Sequence, residues 1–178
     1  MKKTIFTILG ALMLIPFASA MHHEASGHKI SEAEVIKIAQ SAAPANVSGD
    51  ATIMSSDGTI LVEGTNGWTC MVGNPRPAPE GGWGSAHQAM PVCTDDVGMK
   101  WMSDFMAGRD PQLERDAFMW MLHGDVGEDN TTAGVLDLAD AKDPFQWIES
   151  GPHLMLLPKD PSSLDGMTDD FNSGAPYV

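Results

Sequence analysis

ATIMSSDGTILVEGTNGWTCMV, residues 51–72, is the segment around which the rest of the chain is arranged. Three short β-prone runs, 51–54, 59–63 and 68–72, are separated by Ser55-Ser56-Asp57-Gly58 and by Thr65-Asn66-Gly67. Asp-Gly and Asn-Gly pairs tolerate the positive φ angles of hairpin turns, so the segment reads as a three-stranded meander.

Upstream, Ser31-Glu32-Ala33-Glu34 is a capping box whose serine oxygen and glutamate satisfy free amides at a helix start. Ile30 and Val35 stand where a hydrophobic staple places them, and Ile38 and Ala42 continue the apolar face. A helix over 32–43 follows, stopped by Pro44. Downstream, Thr94 is placed to cap a second helix with Asp95 and Asp96 in its positive first turn. Val97, Trp101 and Phe105 recur every four residues, with Met102 and Met106 beside them, until Gly108; this helix is expected to pack on the sheet. Residues 117–122, 145–149 and 153–157 read as later strands, and the tail from Pro158 reads as irregular. With no internal repeat and no composition shift, residues 31–178 form a single α+β domain. It has a mainly antiparallel sheet, the meander plus later strands, packed by two helices.

The N-terminus carries an export signal: Lys2 and Lys3, an uncharged apolar run over 5–17, and Ala18-Ser19-Ala20 at a signal-peptidase site. Residues 1–20 are thus expected to be removed, leaving a His-containing N-terminus over 21–30 and a product that is periplasmic or secreted. Nothing later is apolar for long enough to span a bilayer, so no stable membrane insertion is expected after cleavage. The chain has 24 acidic and 10 basic residues, a net charge of −14. Loss of the two leader lysines makes it more acidic, which disfavours nucleic acid and anionic lipid as partners. Cys70 and Cys93 are the only cysteines, and in an oxidising compartment a disulfide between them is the default. They enclose Gly73, Pro75, Pro77, Pro79, Gly81, Gly82 and Gly84, a composition that excludes a regular helix or central strand.

Four short motifs occur in order: Gly67-Trp68-Thr69-Cys70, Pro91-Val92-Cys93, Gly124-Asp125-Val126-Gly127 with Asn130-Thr131, and Gly151-Pro152-His153-Leu154-Met155. From about Thr59 onward the chain resembles a family of small exported bacterial proteins with no assigned activity. The resemblance implies export and a compact fold, and it transfers no catalytic residue. It also implies one further apolar strand after Pro176-Tyr177-Val178 in such proteins.

No nucleophile elbow, Walker loop, dinucleotide fingerprint or C-x-x-C is present, and His23-Glu24 with His28 has one residue too many for H-E-x-x-H. Three constellations remain. A mature terminus of Met21-His22-His23 offers an amine, two amides and an imidazole, a planar nitrogen set suited to Cu(II) or Ni(II), with His28 in support. Thirteen methionines provide soft thioethers, but Met102, Met106, Met119 and Met121 lie among aromatics and read better as core. His153 and Met155, alternating on one strand, are the single internal pair for a soft ion. The acidic turn holding Asp125, Glu128, Asp129 and Asn130 offers oxygen ligands for calcium or a polar molecule, although such side chains more often cap loop amides. His123, Asp125 and His153 are the candidate acid–base residues. The preferred reading is a non-catalytic binding or structural module presenting the Pro/Gly loop and the acidic turn. The alternative is a metal-handling protein or a small hydrolase with a His/Asp pocket.

Overall fold

Ser31 accepts a hydrogen bond from the Glu34 amide, and helix α1 (Glu32–Gln40) follows as the capping box requires. The computed structural model describes residues 30–178 except 130 and 133, so the leader and the Met21, His22, His23 and His28 set lie outside the described residues. α1 stops three residues earlier than its apolar pattern suggests, because the Ser41 amide and hydroxyl both bond the Ile38 carbonyl. Pro44 then opens a single-turn helix α2 (Ala45–Ser48).

The three runs of the opening segment become β1 (Thr52–Met54), β2 (Ile60–Val62) and β3 (Trp68–Val72). Their order corrects the meander. β2 pairs antiparallel with β1, but β3 crosses to the other side of β1 and runs parallel to it, with Ile53 opposite Cys70. The crossing is made at Gly64, where an added Cβ would collide with the Thr52 nitrogen and the Ala51 carbonyl carbon and lie 2.7 Å from the Asp50 oxygen. The Thr65 amide reaches the Asp50 carbonyl, and Asn66 donates to Val47 O while accepting from the Trp68 amide. The Asn-Gly pair thus closes a local turn against α2, not a hairpin.

From β3 the chain runs through the Pro/Gly loop and the short helix α3 (Ala86–Ala89) into β4 (Pro91–Asp95). Helix α4 (Asp96–Met106) and then β5 (Ala117–Met121) follow. Asp95, not Thr94, caps α4 by accepting from the Gly98 amide; the Thr94 hydroxyl is buried and donates instead to the Phe118 carbonyl across the sheet. Arg115 pins this helix start through Asp95 and Asp96, each at 2.7 Å. Lys100 and Arg109 hold the other end through Asp104.

β6 (Glu128–Asp129) and β7 (Trp147–Ile148) pair only with each other, and β8 (His153–Leu157) pairs with β5. The 145–149 region is therefore not a full strand: Asp143 caps a 3-10 turn over Pro144–Gln146, and only Trp147 and Ile148 remain extended. The main sheet has the order β2-β1-β3-β4-β5-β8, antiparallel except at β1/β3. The tail holds a 3-10 turn at Pro161–Leu164 and one bridge between Thr168 and Tyr177. The result is the expected α+β domain, with two single-turn helices added.

Strand alternation sorts the side chains onto two faces. One buries Ile53, Cys70 and Cys93 beneath Ala39, Ala42 and Ala43 at the end of α1, with Trp68 and Trp120 alongside. Cys70 and Cys93 face each other in register across β3 and β4 and are joined by a disulfide, with neither residue exposed. The other face carries Met71, Val92, Ala117, Met119 and Met121 under α4.

Candidate functional site

α4 does not seal its face of the sheet. Between the helix and the Pro/Gly loop lies a cleft of about 760 Å³, within the range of small-molecule sites. Met71, Met119, Met121 and Met155 come from the strands, Met99, Met102 and Met106 from α4, and Met90 from the end of α3. Trp101 and Phe105 of α4 stack at 5.0 Å between ring centres, and Trp83 contributes to the lining from the loop. Methionine is unbranched and polarisable, so a wall rich in it adapts to ligands of different shape. The sequence reading of these methionines as core holds for Met119 and Met121, which are buried. It is corrected for Met106, which is 48% exposed at the cleft.

Each side of the cleft is fixed by polar contacts. Buried Asn74 donates to the Gln88 carbonyl and accepts from the Arg76 amide, which sets the start of the loop. Arg76 Nη2 donates to the carbonyls of Gly127 and Leu136, both at 2.6 Å, joining the Pro/Gly loop to the acidic turn. Its Nη1 lies 4.0 Å from the Met90 sulfur. Met90 has a φ of 49°, the single positive value for a non-glycine residue among the described residues. Such strain persists only where the surroundings hold it, and here it sits in the cleft wall.

Glu128 lines the same cleft. Burial and the nearby Asp125 carboxylate raise its pKa above the ordinary glutamate value, and the Arg76 guanidinium only partly offsets them. The folded chain therefore holds this proton more tightly than the unfolded chain, and stability falls as pH rises from the ordinary range through the raised value. Glu128→Gln is expected to remove that decline. Denaturant titrations across pH should show the variant more stable than wild type at neutral pH, with the advantage gone in acid.

The other predicted residues separate into two groups. Asp125 accepts from the Ser150 amide at 3.1 Å and from its hydroxyl at 2.5 Å, and that hydroxyl lies 2.9 Å from His153 Nδ1. His153 Nδ1 also lies 2.8 Å from the Gly151 carbonyl. Asp125 and His153 are thus linked through Ser150, a residue that the sequence reading passed over. In this order the serine proton is directed at the carboxylate, and an Nδ1–H bonded to the Gly151 carbonyl has no lone pair with which to take it. The geometry clamps the acidic turn to the β7–β8 connection. Gly124, at φ 67°, packs against the Ser150 carbonyl where a Cβ would collide with it. The clamp borders a second cleft of about 350 Å³ with Phe171 and Tyr177 on its wall.

His123 is not part of the clamp: its carbonyl accepts from His87 Nδ1 at 2.6 Å, and its imidazole makes no hydrogen bond among the described residues. Asp129 accepts from the Thr131 hydroxyl and amide and from the Lys142 amide, which hold its pKa below the ordinary carboxylate value. Asn130 lies outside the described residues. Among the described residues no group of three or more His, Cys, Asp or Glu side chains is placed to hold a metal ion. His153 and Met155 do share a face of β8, opposite Met121 and Met119 respectively.

The fold is an α+β domain, and the cleft beside α4 is its main concavity among the described residues. Compared with known proteins, the chain matches no family model, no curated protein and no solved structure. The acidic turn and the Gly151-Pro152-His153 motif, distant in sequence, meet in space through Asp125, Ser150 and His153. No helix among the described residues is long and apolar enough to cross a membrane.

Proposed function

We propose that this chain is an exported, non-catalytic binding module that holds an apolar small molecule in the methionine-lined cleft between α4 and the Pro/Gly loop. The observation that carries this reading is the cleft itself. The two segments expected to be presented to a partner, the Pro/Gly loop and the acidic turn, are joined by Arg76 and both contribute to its lining. Export is supported by the N-terminal leader pattern and by the buried disulfide, which forms and persists in oxidising compartments.

Nile red, a neutral dye that brightens in apolar surroundings, tests the reading. Wild type is expected to bind about one dye per chain. Met102→Asp should abolish binding by placing a charge in the cleft. Trp83→Ala should weaken it by about tenfold, the effect of losing one aromatic contact. Dye binding that neither substitution alters, in variants whose circular dichroism matches wild type, would place the ligand elsewhere and end the proposal.

A further inference from the structure

Resting on the cleft as the binding site, we infer that its ligand is a cationic amphiphile: an apolar body along the methionine wall, with a single ammonium or similar cation against the Glu128 carboxylate. Of the Asn, Arg, Ser, Asp and Glu side chains that line the cleft, all but one are hydrogen-bonded or open to solvent. Asn74 is engaged by Gln88 and Arg76, and the Arg76 guanidinium is held by the Gly127 and Leu136 carbonyls. Asp129 is engaged by Thr131 and the Lys142 amide. Ser56 and Ser103 are solvent-exposed. Glu128 alone is partly buried with a carboxylate that receives no hydrogen bond among the described residues.

An apolar wall with one unengaged negative group is complementary to a molecule of the opposite pattern. The raised proton affinity of Glu128, retained despite Arg76, says the same thing: its charge is under-compensated, and a ligand cation supplies what the protein does not. The stacked pair Trp101 and Phe105, with Trp83, adds aromatic surface that attracts a desolvated cation. A chain of net charge −14 also draws cations to its surface from a distance. The cleft volume suits one small molecule of this kind.

The test compares decyltrimethylammonium, decyl maltoside and decyl sulfate, each below its micelle concentration, by tryptophan fluorescence and calorimetry. The ammonium compound is expected to bind about tenfold or more tightly than the maltoside, and the sulfate more weakly than either. In Glu128→Gln the ammonium preference should vanish while maltoside affinity stays unchanged. Glu63→Gln, at an exposed position just after β2, should keep the preference and thereby exclude general surface attraction. Equal affinities in wild type, or a loss in Glu63→Gln as large as in Glu128→Gln, would overturn the inference yet leave the cleft as a binding site. Failure of all three detergents and of Nile red would remove both. Tight binding of a basic amphipathic peptide by a protein that refuses decyltrimethylammonium would overturn it in favour of a peptide partner.

Discussion

Gly64→Ala is expected to cost about 3–5 kcal/mol, a large share of the stability of a domain this size. The added methyl group has nowhere to go, because its neighbours are the backbone of residues 50–52 and not a movable side-chain tip. To admit it, the crossing from β2 to β3 must lift away from β1, breaking the Thr65–Asp50 bond and the Gly64 amide's bond to the Thr52 hydroxyl. Buried Ile53 would then lose its place between β2 and β3. Gly58→Ala is the matched control: it has a positive φ of 86° but nothing within 4 Å of a new Cβ, so only the backbone preference is lost. That loss is about 1 kcal/mol. Urea denaturation of the two variants separates the effects, and a Gly64 variant as stable as the Gly58 variant would contradict the crossing.

The second large effect is expected from Cys70→Ala with Cys93→Ala. The bond closes a loop of sequence separation 23, which in the chain-entropy account is worth about 3 kcal/mol. Both residues are also fully buried beneath Ala39, Ala42 and Ala43, so truncating the sulfurs leaves an unfilled space that adds to the cost. The loop that is released carries Arg76 and Trp83, so Nile red affinity should fall together with the urea midpoint. An unchanged midpoint in the double variant would show that the bond contributes nothing to the folded state.

What the sequence discloses and what it withholds differ for physical reasons. Runs 51–54, 59–63 and 68–72 are legible because β-branched residues bounded by Asp-Gly and Asn-Gly carry a local signal. The neighbour of β3 is not, since Gly64 permits the crossing through a contact with backbone twelve or more residues away. Asp95 displaced Thr94 as the cap because the Thr94 hydroxyl found a partner on β5 that no local pattern reveals. The methionines misled more seriously: both Met119 and Met106 line the cleft, but Met119 is buried while Met106 is exposed, a difference that residue type does not show. A lone arginine in the Pro/Gly loop, Arg76, was the available clue that this loop is tied to something distant. Ser150 was invisible because its importance lies in reaching Asp125 across 25 positions while it touches nearby His153.

The sulfur pair under the alanine-lined end of α1 also bears on when its bond can be made or broken. Exchange of thiol and disulfide needs an attacking group to reach a sulfur in line with the bond. No such approach exists once the helix has landed, because Cys70 and Cys93 are both fully covered. Forming or breaking the bond is therefore expected to require α1 to lift from the sheet, by local opening or before it docks. A reduced chain that docked α1 first is expected to oxidise only as fast as that cover opens.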